Sequence, residues 1–273
     1  MQQADVLEIE RKADLMRQYI CKMCLLSNSG HPASSLSAVD VIAALYFKSM
    51  QSDDCFILSK GHAAPALYSA FILKNIFPLS TLQKFREFDS PFQGHPDVQK
   101  LPQVNATTGA LGQGLSIAIG RALAMRLKGQ TRRSYCLIGD GESQEGQIWE
   151  AALFAANRRI DNLIVFTDYN RRQADGPLEE VMPLGDLQKK WESFGWFVQK
   201  VNGHSITEIT HAVSRAKEIL GQPTMILAST EKGYVSADLT VLGGEHAAAM
   251  TSDVYTKVIE KLGLADFNIG DIC

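Results

Sequence analysis

Apolar and polar positions form two patterns along this chain, one typical of helices and one typical of buried strands. Apolar residues recur every three or four positions over 4–27 and over 36–48, which predicts two amphipathic helices. Short, continuous apolar runs are typical of strands that are buried on both faces. Such runs occupy residues 55–58, 134–139, 162–168, 196–201 and 224–229.

Helical patterns separate these runs. They cover residues 112–128, 144–158, 186–194 and 205–219. Strands that alternate with helices predict an α/β fold, with a parallel sheet covered by helices on both faces. Residues 75–108 are rich in Pro, Gly, Asn and Thr, and so long an irregular segment is typical of a binding role. Because no repeat or linker interrupts the pattern, we expect a single domain over residues 1–273.

Composition and charge narrow the class of protein. The chain is 45% hydrophobic and 21% charged, as in ordinary globular proteins. Its net charge of -3 argues against nucleic-acid binding. It has no apolar run long enough to span a membrane, and its acidic, amphipathic start is unlike a secretory signal, so we expect a cytoplasmic protein.

The cysteines agree with a reducing compartment. They are odd in number and scattered, which is typical of reduced thiols in a cytosolic protein. Cys21 and Cys24 form a CxxC pair inside a helical apolar pattern, without a second pair to complete a metal site. We therefore expect both side chains to pack in the core.

Polar residues stand immediately after the predicted strands. His62, Asp140, Asn170 and Lys232 each lie just past an apolar run. In open parallel sheets, ligands bind beyond the carboxyl ends of the strands. The placement of these residues therefore predicts a site at that edge of the sheet.

The sharpest motif is GDGESQEG at 139–146. Gly139 and Gly141 allow a tight turn and a close approach by a ligand. Asp140 then projects beside a helix N-terminus, which favours anions. Taken alone, the motif is equally consistent with a tight strand-to-helix turn that has no binding role.

Asn170, after the next strand, adds a second donor at the same edge. The carboxylate of Asp140 and an amide oxygen are hard ligands that suit Mg²⁺ or Ca²⁺ and suit zinc poorly. Two side chains cannot enclose a metal, and Mg²⁺ completes its octahedron with water, carbonyl and phosphate oxygens. The pair therefore predicts a metal that arrives with a phosphorylated ligand.

Several rare motifs occur in a fixed order. They are SGHPASSLSAVDVIAALYF at 29–47, LSKGHAAPALYSAF at 58–71, GHPD at 94–97, TTGALGQGLSIAIG at 107–120 and GDGESQEGQIWEAALFAAN at 139–157. Together with Asn170 they resemble the motifs of transketolases, from about residue 10 to 235. The resemblance implies a thiamine diphosphate-binding fold. It also implies two-carbon ketol transfer from a ketose phosphate to an aldose phosphate, with thiamine diphosphate and Mg²⁺ or Ca²⁺ as cofactors.

The resemblance also implies roles for individual residues. Asp140 and Asn170 would bind the metal by their side chains, and Arg172 by its backbone carbonyl, which tolerates a change of side chain at this position. Glu145 resembles a glutamate that joins an acidic network between paired active sites. The residues implied to approach the cofactor are His62, Gly109, Ala110, Leu111, Gly141, Glu142, Glu145 and Asn170.

Histidines form the catalytic set that the resemblance implies. A single loop histidine is more often structural, but His31, His62 and His95 all occupy similar Gly-His segments. In transketolases such histidines surround the thiazolium and the donor sugar, where imidazole binds hydroxyls and shuttles protons near neutral pH. His246 stands in for a further family histidine, within a C-terminal segment that departs from the family pattern. His204 is predicted to form a turn and helix cap.

The chain ends at Cys273, just after the diphosphate-binding region. Transketolases carry an essential glutamate and a pyrimidine pocket on a further domain. We therefore expect a split transketolase, in which a separate C-terminal subunit completes a heterotetramer and apolar residues around 30–72 and 107–125 lie in interfaces. Two alternatives stay open: a 2-oxoacid dehydrogenase E1 subunit, and a non-catalytic, cofactor-binding regulatory subunit.

Overall fold

A five-stranded parallel sheet forms the centre of the computed structural model, which describes residues 2–244 and 248–267. The strands are β1 (Cys55–Leu58), β2 (Ser134–Gly139), β3 (Leu163–Tyr169), β4 (Arg172–Gln173), β5 (Gly176–Pro177), β6 (Phe197–Asn202), β7 (Thr224–Ser229), β8 (Tyr234–Ser236) and β9 (Leu239–Thr240). The order in the sheet is β1-β2-β3-β7-β6, and all neighbours run parallel. The remaining strands form two small antiparallel pairs, β4 with β5 and β8 with β9. The predicted α/β class and parallel sheet are confirmed.

Helices cover both faces of this sheet. In the described part of the chain they are α1 (Gln3–Ser27), α2 (Pro32–Leu36), α3 (Val39–Ala44), α4 (Ala64–Leu73), α5 (Gln113–Leu127), α6 (Gly146–Asn157), α7 (Leu178–Val181), α8 (Leu187–Ser193), α9 (Ile206–Ala216) and α10 (Ser252–Leu262). Successive strand residues face opposite sides. Tyr135 and Leu137 therefore join the core formed with α1, α3, α4 and α9, while Cys136 and Ile138 join the core formed with α5, α6 and α8.

The helix predicted over residues 36–48 is interrupted. Helix α2 ends at Leu36, α3 begins at Val39, and a π-helical turn follows over Leu45–Ser49. At the break, the hydroxyl of Ser37 donates to the carboxylate of Asp168 at 2.6 Å. The same hydroxyl donates to the carbonyl of Ser34 at 3.1 Å, and a local bond from a serine hydroxyl to the backbone competes with regular helix geometry. The prediction of one continuous helix was wrong at this serine.

Two further expectations about packing are settled by burial. Cys21 and Cys24 lie in the core, as predicted. The apolar residues of segment 30–72 were expected at an interface, but Leu36 and Ile42 are completely buried inside this chain. That expectation was wrong for this segment, because its helices pack on the chain's own sheet. Within the described residues, no helix combines the length and apolar character needed to cross a membrane.

The predicted irregular excursion over 75–108 is mostly loop, with one 3-10 helix at Leu79–Lys84. Aromatic packing holds it against the domain: the rings of Phe77 and Phe92 meet edge to face, 5.0 Å apart. Such geometry contributes about 1 kcal/mol beyond the burial of the rings. The excursion is therefore an ordered loop that can present residues to a site.

Candidate functional site

The carboxyl ends of β2, β3 and β7 form what we call the strand-end edge, which carries Asp140, Asn170 and Lys232. Parallel register sets their spacing, since the last residue of β2 lies opposite Asp168 of β3. The edge borders a cavity of about 380 Å³. The cavity is lined by His31, Ser34, Lys60, His62, His95, Gly109, Leu111, Gly139, Asp140, Gly141, Glu142, Gln144, Glu145, Asn170, Arg172, Gln173, Ala174, Asp175 and Lys232.

Asp140 is a buried carboxylate at the centre of this edge. One oxygen accepts the N–H of Gly141 at 2.7 Å, and the other accepts the N–H of Arg171. Burial and the nearby charge of Asp168 raise the pKa of Asp140 to about 7. The ionised form is therefore disfavoured in the chain alone, and a cation bound at this oxygen pair would stabilise it.

Asn170 presents its amide in one fixed orientation. Its Nδ2 donates to Asp168 at 3.2 Å, and its Oδ1 accepts the N–H of Arg172 at 3.1 Å. With the nitrogen directed at Asp168, the amide oxygen is the atom left to serve as a ligand. The carboxylate of Asp140 and the amide oxygen of Asn170 are the kind of oxygen ligand that a hard cation such as Mg²⁺ prefers. In residues 2–244 and 248–267, no group of three or more His, Cys, Asp or Glu side chains could hold a metal.

Beneath these residues lies a buried ion pair between Lys60 and Asp168, which sequence reasoning missed. Their side chains are 2% and 0% exposed. Asp168 also accepts hydrogen bonds from the hydroxyls of Ser37 and Thr230. Burial alone would raise the pKa of Asp168, but the ammonium of Lys60 and these donors hold it below its usual value. The available signal was a charged residue near the end of the apolar strand β3.

Lys232 follows β7 and is also buried. Burial and the positive charge of Lys60 lower the pKa of Lys232 to about 8. The lowered pKa means that the charged form of Lys232 is disfavoured in this environment, and a bound anion would stabilise it.

Three loops bring His31, His62 and His95 together; we call them the histidine loops. The ring of His31 lies 5.5 Å from that of His62 and 6.1 Å from that of His95, between ring centroids. Partial burial and then the charge of Arg86 lower the pKa of His95. Gly109 has φ +145°, and a Cβ there would lie 2.9 Å from the His95 ring, so the glycine makes room for this histidine.

Glu142 links the strand-end edge to the loop before α5. Its Oε1 accepts from the hydroxyl of Ser59 and, at 2.9 Å, from the N–H of Gly112. Its Oε2 accepts the N–H of Gly139 at 3.0 Å. Burial raises the pKa of Glu142, against the effect of these donors. Glu142 borders the cavity, but its carboxylate holds two loops in place.

The other predicted residues are placed as follows. Leu111, Glu145 and Arg172 line the cavity, and Glu145 is exposed at the start of α6. Ala110 is exposed and is not among the lining residues. His246 lies outside the described residues.

His204 does more than form the predicted turn. Its Nδ1 lies 2.8 Å from Asp40, which also binds Arg17 at 2.6 Å, and its Nε2 accepts the N–H of Glu231 at 2.9 Å. Because Nε2 accepts, the proton of the neutral ring belongs on Nδ1, facing Asp40. This network fixes the segment that precedes Lys232 against helices α1 and α3.

Comparisons with known proteins show which proteins this chain is similar to. The chain matches the family model described as transketolase, thiamine diphosphate binding domain, over residues 10–271. It is 40% identical over 265 residues to the 6-deoxy-6-sulfo-D-fructose transketolase subunit SqwG of Clostridium sp. (strain MSTE9), covering 94% of this chain and 96% of that protein. An apulose-4-phosphate transketolase subunit of Actinobacillus succinogenes is 37% identical over 238 residues, covering 83% of this chain and 85% of that protein.

Solved structures share the fold. The crystal structure of transketolase from Campylobacter jejuni gives a TM-score of 0.89 at 28% identity, over 98% of this chain and 44% of that chain. The present chain therefore spans less than half of that protein, while it spans nearly the whole of the Clostridium subunit.

Proposed function

This chain belongs to the transketolase family, and from that premise we propose that it is the diphosphate-binding subunit of a two-chain transketolase. The predicted family and reaction type are confirmed, since the relatives are named as transketolases and as subunits of them. That agreement favours a transketolase over a 2-oxoacid dehydrogenase subunit or a non-catalytic subunit. The observation that carries the proposal is the meeting of Asp140, Asn170, Lys232 and His62 around one cavity.

The residues of the strand-end edge fit the diphosphate and a divalent metal. We propose that Asp140 and Asn170 bind Mg²⁺ (or Ca²⁺) by side chain, and Arg172 by its carbonyl. The raised pKa of Asp140 and the lowered pKa of Lys232 support this, because a cation would stabilise the carboxylate and a diphosphate would stabilise the ammonium. Thiamine diphosphate supplies carbanion stabilisation, while the protein supplies binding and orientation.

The histidine loops are proposed to bind the sugar. His31, His62 and His95 lie together at the cavity, where imidazoles can donate to hydroxyls and accept from them. Gly109, Ala110, Leu111, Gly141 and Glu142 are proposed to approach or support the cofactor. We propose ketose phosphates as donors and aldose phosphates as acceptors. One relative is named for a sulfonated sugar and another for a sugar phosphate, so sulfonated and phosphorylated sugars should both be tested as substrates.

Assembly with a C-terminal subunit into a heterotetramer is proposed from the surface around α5 and α6. Leu153 and Phe154 are 61% and 43% exposed there, and Phe154 borders a groove between the two helices. Exposed apolar side chains next to one another are typical of an interaction surface. Glu145 stands exposed at the start of α6, where a second copy could meet it.

We further propose that residues 1–273 act as one domain in the cytoplasm. The family match over residues 10–271 and the single five-stranded sheet support one functional unit. The free, buried thiols of Cys21, Cys24, Cys55 and Cys136 are consistent with a reducing compartment.

The first test is co-expression with a transketolase-like C-terminal subunit. Two-carbon transfer should require both chains, thiamine diphosphate and Mg²⁺. Donors should include a ketose phosphate and 6-deoxy-6-sulfo-D-fructose, so that the two anionic classes are compared directly. Full activity of this chain alone would contradict the two-chain proposal.

The matched variants are Asp140→Ala and Asp253→Ala. Asp140→Ala should weaken Mg²⁺-dependent binding of thiamine diphosphate by about 100-fold or more, measured by calorimetry on the complex. Asp253 is exposed on α10, so its replacement removes a carboxylate away from the cavity and should leave binding unchanged. Equal binding by both variants would remove Asp140 from the metal site.

A further inference from the structure

Two of the histidine loops are packed against one short stretch of the excursion, Phe85 and Arg86. The glycine before His31 is Gly30, and a Cβ there would lie 3.2 Å from the ring of Phe85. The glycine before His95 is Gly94, and a Cβ there would lie 2.6 Å from Cζ of Arg86. Both Gly-His steps are therefore pressed against adjacent residues of the same segment.

Arg86 also makes a polar contact with the other loop. Its Nη1 donates to the hydroxyl of Ser29 at 2.7 Å. The same guanidinium therefore packs against Gly94 and donates a hydrogen bond to Ser29. A planar fork can serve two neighbours in this way, whereas the single ammonium of a lysine cannot.

The backbone of Arg86 is shaped for this position. Its φ is +60°, a left-handed conformation that is uncommon for residues other than glycine. Its N–H donates to the carbonyl of Phe92 at 2.9 Å, which closes the loop between them and returns the chain to Gly94. An unfavourable backbone conformation that persists at a site is held there by the surrounding structure.

We propose that Arg86 is a positioning residue, which fixes the separation of His31 and His95 by bridging the loops that carry them. The two rings lie 6.1 Å apart between centroids, and both border the cavity. Small displacements of groups that orient a substrate can cost large factors in rate. The functional consequence rests on the proposed role of these histidines in sugar binding.

The charge of Arg86 has a measurable effect, on the pKa of His95, that an uncharged packing contact would not have. After burial, it is the second cause that lowers the pKa of His95. The other titratable groups around His95 are His31, at the ring distance above, and Asp97 and Lys100, which line a neighbouring cavity with it. Loss of the Arg86 charge should therefore raise the pKa of His95, so that the ring stays protonated to higher pH.

The experiment compares Arg86→Met, Arg86→Lys and Lys84→Met. Lys84 is an exposed cation two residues upstream, so Lys84→Met removes the same charge without touching either loop. The first measurement is the titration midpoint of His95 in the full chain, by NMR with ¹⁵N-labelled histidine. The second is kcat and KM for a ketose phosphate in the assembled two-chain complex.

Arg86→Met should raise both the titration midpoint and KM, with KM increasing about tenfold and kcat changing less. Arg86→Lys keeps the charge and loses the fork, so it should raise KM while the midpoint stays near that of the wild type. Lys84→Met should change neither quantity. A wild-type midpoint in Arg86→Met, or a wild-type KM in Arg86→Lys, would overturn the proposal.

The two measurements, titration of His95 and kinetics of the complex, also test this inference and the proposed function separately. If the wild-type complex transferred no two-carbon unit, the proposed function would fail. The His95 midpoint in Arg86→Met, or in Arg86→Gln, which also removes the charge, if the first variant did not fold, would still decide whether Arg86 acts on that histidine.

Discussion

The strand-end edge and the histidine loops border the same cavity, but they are built in different ways. At the strand-end edge, Asp140 and Asn170 follow neighbouring strands whose register fixes their separation. In the histidine loops, His31, His62 and His95 come from three segments far apart in sequence, and side-chain packing holds them together. One region takes its geometry from backbone hydrogen bonds, and the other takes it from contacts between loops.

The two regions also differ in how far their geometry depends on buried charges. The strand-end edge rests on the buried pair of Lys60 and Asp168, so its geometry depends on charges that are almost completely shielded from solvent. The histidine loops are partly exposed and depend on close contacts at glycines such as Gly94 and Gly109. Damage to the first region should therefore appear mainly as lost stability, and damage to the second mainly as lost activity.

The largest effect is expected from Asp168→Asn. It leaves the ammonium of Lys60 buried without its carboxylate. Removal of one partner of such a pair lowers the free energy of unfolding by about 3–5 kcal/mol. Urea unfolding of the chain without cofactor should show this loss. The double variant Lys60→Met/Asp168→Leu removes both charges and should recover most of the stability. It should not recover cofactor binding, because the amide of Asn170 has lost the acceptor that orients it.

If Asp168→Asn instead lost less than about 1 kcal/mol, the buried pair would not be what supports the strand-end edge. In that case the two regions would not differ in the way described above. The double variant would then be no more stable than the single one.

The strand-end edge could be predicted from the sequence because it follows from topology. Apolar runs gave strands within a residue of their observed ends, and residues after parallel strands must meet at one edge. The buried pair could not be predicted, because Lys60 and Asp168 are 108 positions apart and Lys60, just after β1, must reach past β2 to contact β3. The break in the helix predicted over 36–48 lies at Ser37, whose hydroxyl bonds the carbonyl of Ser34 locally and the carboxylate of Asp168 across the fold.

The histidine loops were predicted only through resemblance. The repeated Gly-His pattern marked His31, His62 and His95 as related, but no rule of periodicity places irregular loops next to each other. Arg86 escaped notice for the same reason, because its role depends on contacts with Ser29. Local sequence determines strands and helices well, whereas loop–loop contacts depend on the finished tertiary structure.

A smaller effect on stability is expected from Gly109→Ala, in the histidine loops. The backbone at φ +145° is unfavourable for alanine, and the new Cβ would lie 2.9 Å from the ring of His95. The strain should cost about 1–3 kcal/mol. Displacement of His95 should lower kcat/KM by about tenfold or more. A loss of about 1–3 kcal/mol leaves a domain of ordinary stability almost entirely folded, so unfolding would not explain this decrease.

Gly221→Ala is the matched control for this variant. Its backbone also has a positive φ, +72°, but the new methyl group would meet no atom within 4 Å, and the residue is not among those that line the cavity. Its kinetics should equal those of the wild-type complex. Wild-type kinetics in Gly109→Ala as well would mean that the position of His95 is not set by this contact.

The smallest effect is expected from Ser37→Ala, which removes one of the donors to Asp168 and leaves the ion pair with Lys60 in place. A hydrogen bond to a charged group contributes about 1.5–3 kcal/mol, and the remaining donors should reduce the net loss to about 1 kcal/mol. Ser69→Ala is the control, because the hydroxyl of Ser69 is also buried and donates to a carbonyl, that of Pro65 in its own helix. A larger loss in Ser37→Ala than in Ser69→Ala, with a matching decrease in cofactor affinity, would show that the strand-end edge weakens step by step as its donors are removed. Equal losses would mean that Lys60, Thr230 and Asn170 hold Asp168 without a measurable contribution from Ser37.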